Sequence, residues 1–356
     1  MARALRKEEG RNRIGSTPFM TFRSLTLTTV TAAFLALSAA ATAQAADAEK
    51  LKLGFAKCAH CLPMALTPEL AKGVEIEAIN FNSGNDVLTA LVSKSIDMAQ
   101  VTYLHYITAL DKGFDVVAVS GQVNGGSEIV VGKGITLKAD DWDGLKTLIA
   151  ERKEKGEPLR VAASRGNAQD IHMRGALQKH GINVNKDVQF INIPNPSDHA
   201  AALQRGEVDV ICTVEPFASQ IRQTGVGTHF ALPYDQAAGN LTNLIVTRSD
   251  VIKDHPKAVE ATVGSVVALV DKLKSDQTVW VDVINKYTGM DKAVAAEALK
   301  NASPDYAIHK DSTLAIATMM RELKYISNDV TAAAEKNLDY TFLEAVTKKP
   351  KSELGF

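Results

Sequence analysis

The sequence has no excess of one charge: 40 basic side chains stand against 41 acidic ones, a formal net charge of −1 over 356 residues. That balance argues against a polybasic nucleic-acid ligand. With hydrophobic residues at 46% and charged ones at 23%, collagen-like and wholly disordered chains are set aside as well. Internal repeats and low-complexity tracts are absent, which removes solenoids and linker arrays. There is no Walker loop, no dinucleotide fingerprint after a strand, no G-x-S-x-G elbow and no H-E-x-x-H pair, so nucleotide, serine-hydrolase and zincin chemistry lose their usual signatures. Beyond residue 45 no uncharged apolar run approaches the length that about 30 Å of hydrocarbon demands.

The first 45 residues read as an export signal. Arg23 precedes the apolar run Leu25 to Ala41, and Ala43-Gln44-Ala45 supplies the small residues of a cleavage site. A retained anchor and an unprocessed tail are the alternatives. Met20 is a second candidate start, because Met20-Thr21-Phe22-Arg23 opens a more ordinary signal than Met1 does. Cleavage after Ala45 removes six basic and two acidic side chains and leaves a mildly acidic exported chain.

Such a length favours two domains over one. Short apolar runs alternate with helical stretches, the mark of α/β units. Leu51–Ala56, Val74–Phe81, Asp97–Val101, Val116–Val119 and Glu128–Val131 form one set of expected strands. Leu159–Ala163, Val188–Ile193, Val208–Thr213 and Thr228–Leu232 form a second, and Leu241–Val246 is one further strand-like run. Val251 to Leu273, Ser275 to Thr288, Asp291 to Asn301 and Thr313 to Tyr325 are helical by period and propensity. This order predicts one lobe built from both chain ends, residues 46–138 and 241–356, with a second lobe, 139–240, inserted between. Two hinge crossings near 133–143 and 236–243 would join them.

Ligands of open sheets bind where strand ends and helix starts converge. Ser83-Gly84 and Ser164-Arg165-Gly166-Asn167 are the two such places expected to face each other, one per lobe. Their free amides, with a helix dipole behind them, suit an anion, although helix capping alone accounts equally for serine and asparagine there. Arg165 and Lys57 are candidate contacts or rim charges. Tyr103 is a candidate to wall the cleft or, equally, a buried core tyrosine, and the Asn124-Gly125-Gly126-Ser127 turn is a further candidate wall, with Asn124 the contact there. Glu215 repels a simple anion, so it reads as a structural hydrogen-bonding group or as the receiver of a zwitterion's amine.

Cys58-Ala59-His60-Cys61 follows the first strand. An oxidising compartment favours a disulfide between Cys58 and Cys61, but a ligand-facing wall, thiol chemistry and metal ligation with His60 stay open. Three donors leave a tetrahedral zinc site one short. No cofactor is expected.

The segments Phe81-Asn82-Ser83-Gly84, Ala90 to Ala99, Val161 to Asn167, Ala201 to Val210 and Glu215-Pro216-Phe217 resemble the periplasmic substrate-binding proteins of ABC importers for nitrate, sulfonates and taurine. The resemblance covers about residues 50 to 245. It implies a two-lobed α/β periplasmic-binding-protein fold of type II with a helical C-terminal region. It also implies no catalysis, a periplasmic location, and a pocket lined by Lys57, Cys58, His60, Ser83, Gly84, Tyr103, Asn124, Ser164, Arg165, Gly166, Asn167 and Glu215. The implied partners are a small organic anion or zwitterion and an inner-membrane permease, with the chain a monomer that binds no nucleic acid. The cysteine-containing loop is a departure similar to the branch that binds thiamine-precursor pyrimidines. A pyrimidine-precursor binder, a synthase-like enzyme and a metal-binding protein using Cys58, His60 and Cys61 therefore remain alternatives.

Overall fold

In the computed structural model the residues described are 48–356, so the expected export signal at 1–45 lies outside them. Eleven strands build two sheets: β1 (Glu49–Ala56), β2 (Val74–Phe81), β3 (Met98–Thr102), β4 (Val117–Gly125), β5 (Ser127–Gly132), β6 (Arg160–Ala163), β7 (Gln189–Asn192), β8 (Val210–Val214), β9 (Gly227–Ala231), β10 (Asn243–Thr247) and β11 (Ala302–Asp305). The first sheet has the order β11-β4-β10-β3-β1-β2 and the second β7-β6-β8-β5-β9. β1 is parallel to β2 and β3, and β6 to β7 and β8. β10 runs antiparallel to β3 and β4, as does β5 to β8 and β9.

Sequence pattern explains the first sheet well. Leu51, Leu53 and Phe55 alternate inward along β1, with Lys50 and Lys52 exposed. The edge strand β2 turns Val74 and Ile76 inward and Glu75 and Glu77 outward, charges that discourage pairing with another chain. A large apolar core covers this sheet and takes in the C-terminal helices. The second sheet carries a separate apolar cluster on each face, one around Val161 and Phe230, the other around Ala162 and Ile211. The result is the layered architecture expected of an α/β lobe.

Three expectations are corrected. Glu128–Val131, read as the last strand of the first set, lies within β5, which pairs with β8 and β9. The chain therefore first changes sheets at Gly125-Gly126, not between 133 and 143, and returns between Ala231 and Asn243. An apolar run carries no label saying which sheet it joins, whereas two consecutive glycines with φ of +91° and +88° adopt a backbone that side chains resist. The long helix expected over 251–273 is two, Ser249–Asp254 and Pro256–Ser275, because Pro256 can open a helix but not continue one. Ala302–Asp305, just beyond an expected helix, adds β11 to the edge of the first sheet. No helix among the described residues is long and apolar enough to cross a membrane.

Candidate functional site

A small cavity of about 40 Å³ lies where loops of the two sheets meet. That is above the roughly 10–15 Å³ needed to admit one water, so the cavity suits a small solute. Its lining from the first sheet begins in the loop after β1, with Lys57, Cys58, His60 and Cys61. Asn82, Ser83 and Gly84 follow β2, while Gln100, Thr102 and Asn243 come from β3 and β10. The second sheet contributes Asn167, Ala168, Gln169, Pro196 and Val214.

Two helix starts touch here. Gly84 opens the helix Gly84–Val92, and a Cβ on it would lie 2.5 Å from His105 Cε1 and 3.0 Å from Asn167 Oδ1. Only a glycine lets the second-sheet loop come so close. Asn85 Nδ2 then donates to the Arg165 carbonyl at 3.2 Å and joins the two sides. Ser83 is occupied with a capping box: its hydroxyl bonds the Asp86 carboxylate at 2.9 Å, and that carboxylate also accepts from the Ser83 amide. Asn167, at the start of the helix Ala168–Lys179, makes no side-chain cap. Its Nδ2 is buried without a partner, and the first-turn amides of Ala168 and Gln169 receive none from it.

The loop after β1 is the other wall. Cys58 and Cys61 are joined as a disulfide. That bond removes the two thiolates a metal would require, although the donor atoms of Cys58, His60 and Cys61 lie within 4.8 Å of one another. The loop is fastened at its middle: the Ala59 amide donates to the Glu215 carbonyl at 2.8 Å, and Trp280 Nε1 donates to the Ala59 carbonyl at 2.6 Å. His60 is buried, with Nδ1 unpartnered. Burial, followed by the nearby His172, drives its pKa down to about 3, so the ring is neutral. Lys57 is exposed and is the only charged side chain among the lining residues. The pocket is thus nearly uncharged, with a few polar side chains set in a mainly apolar surface.

The remaining expected contacts stand elsewhere. Ser164 is fully buried, donating to the Ile193 carbonyl at 2.8 Å and meeting His199 Nε2 at 3.1 Å, so it holds the second sheet's loops together. Arg165 is exposed, with its amide donating to Asn192 Oδ1. Gly166, at φ +85°, donates to Asp170 and packs on Asn85. Tyr103 lies in the core under the first sheet, and burial pushes its hydroxyl above its ordinary pKa. Asn124 Oδ1 accepts from the Thr242 amide at the return crossing. Glu215 turns its carboxylate to the Ser219 amide at 3.0 Å and to Arg222 at 3.2 Å, away from the cavity lining. Burial raises its pKa to about 7. Gln100, Thr102, Gln169 and Asn243 were not among the expected contacts. The available signal was a glutamine inside the otherwise apolar run Met98–Val101 of β3 and an asparagine opening β10.

The sequence profile of the NMT1-like family matches residues 44–284. The nitrate/nitrite binding protein NrtA of Synechococcus elongatus is 28% identical over 123 residues, which make up 34% of this chain and 28% of that protein. Among solved structures, the periplasmic nitrate-binding protein NrtA from Synechocystis PCC 6803 superposes with a TM-score of 0.73 at 18% identity, covering 86% of this chain and 91% of that one. The alkanesulfonate-binding protein SsuA from Xanthomonas axonopodis pv. citri, bound to MOPS, gives 0.66 at 19% identity over 80% and 97%. These likenesses establish the periplasmic-binding-protein fold. With its profile match running through both sheets, the chain belongs to the NMT1-like family.

Proposed function

We propose that the protein is the periplasmic solute-binding component of an ABC importer, which captures a small organic anion or zwitterion between its two lobes and delivers it to an inner-membrane permease. The observation that carries this reading is the cavity itself. It is small, almost uncharged, lined from both sheets, and bordered by two helix starts held together by the Asn85–Arg165 contact. A solute touching both sides stabilises the closed arrangement over the open one, and that difference in affinity is what couples capture to shape. The fold and the similarity to nitrate- and sulfonate-binding proteins support the same reading. On this reading the protein acts as a monomeric carrier and performs no chemistry on its solute.

The test combines native mass spectrometry of protein purified without added ligand with small-angle scattering before and after the solute so identified is restored. The expected result is a co-purified small mass whose return shrinks the radius of gyration. Solute binding that leaves the dimensions unchanged would count against a closing carrier.

A further inference from the structure

Four lining side chains carry a buried polar atom without a partner: His60 Nδ1, Gln100 Oε1 and Asn243 Oδ1 on the first sheet's side and Asn167 Nδ2 on the second's. On the first sheet, Gln100 in β3 is 1% exposed and Asn243 in β10 is fully buried, yet Gln100 Oε1 and Asn243 Oδ1 have no partner. Both oxygens belong to side chains of central, antiparallel neighbouring strands. The Asn243 amide is oriented by its Nδ2, which donates to Gln122 Oε1 at 3.3 Å. The second sheet's side offers donors instead: Asn167 Nδ2, without a partner at 7% exposure, and the uncapped first turn at Ala168 and Gln169.

A bare oxyanion accepts hydrogen bonds and donates none. It would satisfy the second sheet's donors and meet the exposed Lys57 cation, but it would leave both carbonyl oxygens of the first sheet unmet. Buried polar groups are ordinarily paired, and a site built to bond a donor rejects a ligand that lacks one. We propose that this pocket selects a solute carrying an N–H donor as well as a carbonyl, sulfonyl or oxyanion acceptor, a small amide-bearing or zwitterionic molecule, over a bare oxyanion of the same size. The acceptor end lies toward Asn167 and the helix start, and the N–H end toward Gln100 and Asn243. This assignment rests on the carrier reading and narrows it.

Two isosteric probe pairs test it: acetate against acetamide, and methanesulfonate against methanesulfonamide. Each is titrated calorimetrically into the full chain after removal of any co-purified solute. The expected result is that the amide member of each pair binds at least about tenfold tighter, the factor that corresponds to about 1.4 kcal/mol. Gln100→Met, which keeps length but removes the acceptor, should bring the ratio toward one. If that variant fails to fold by circular dichroism, the wild-type ratio still decides. Equal or tighter binding of the oxyanions, or binding of none of the four probes at millimolar concentration, would overturn the assignment. The carrier reading fails separately, when a solute that does bind produces no compaction by scattering.

Discussion

Ser164 and Asn167 lie three residues apart in one loop and do different work. The Ser164 hydroxyl is enclosed and bonded to Ile193 and His199, so Ser164→Ala removes a satisfied buried group and should cost about 1–3 kcal/mol in urea unfolding. Solute affinity should be nearly unchanged. Asn167 has a free Nδ2 and no cap to lose, so Asn167→Ala should leave the unfolding midpoint close to wild type while weakening solute binding about tenfold. Calorimetry and denaturation on the same two variants check both halves. What the sequence discloses of this loop is its position, between a strand and a helix start. Which of its polar side chains turns inward to the fold and which toward the cavity depends on Ile193 and His199, residues that no local pattern connects to it. For Tyr103 and Glu215 the sequence likewise left a structural and a cleft-facing reading open, since a strand-end location says nothing of side-chain direction.

At the scale of elements, the loop after β1 is the part most dependent on distant support. Its middle carbonyl is held by Trp280, a fully enclosed side chain on a C-terminal helix. Trp280→Phe keeps most of the apolar bulk but removes the donor, and it should cost about 1–3 kcal/mol in stability together with a measurable loss of solute affinity. Unaltered affinity in a folded variant would show that the wall needs no such anchor. Strands and helices were legible where apolar period and caps agree, as in β1 and in the helix Gly84–Val92 with its Ser83/Asp86 box. They were not legible where partnership decides. β5 looks like any short apolar strand, and β11 contains Pro304, which suits an edge position and hides the strand from a propensity reading.

For the whole molecule, buried titratable groups set an acid limit. Burial lowers the pKa of His60 and His105 from 6.5 to about 3, and that of His172 and His199 to about 4. The unfolded chain therefore takes up these protons first as pH falls below 6.5. Stability present above 6.5 is lost on the way down, by up to about 1.4 kcal/mol per pH unit for each ring. Glu215 works the other way: raised from 4.5 to about 7, it gives stability at low pH that is lost as pH rises toward 7. Four rings outweigh one carboxyl, so the urea midpoint should fall as pH is stepped from neutral to about 5. A flat or rising midpoint would contradict the neutral, enclosed histidines.

The lobes are also tied by charge. Arg222 reaches Glu128 at 3.1 Å and Glu215 at 3.2 Å within its own lobe, and Glu297 of the C-terminal region at 3.4 Å. Glu297→Gln loosens only a half-exposed pair and should change stability by no more than about 1 kcal/mol, with its effect seen in the scattering of the solute-free form. Arg222→Ala leaves buried Glu215 with only the Ser219 amide and buried Glu128 with only His229, and should cost about 1–3 kcal/mol in urea unfolding.

A Cβ on Gly126, at the first crossing, would stand 2.4 Å from His60 Nδ1. An imidazole of the cavity lining therefore leans directly on the bend where the chain changes sheets. Under the proposed carrier function, a cargo that displaced the imidazole would press on the bend itself, and the angle of closure would become a gauge of what had been loaded. Evolving a new specificity at residue 60 would then reset that gauge in the same stroke, and a permease would meet an altered silhouette before it met the new molecule.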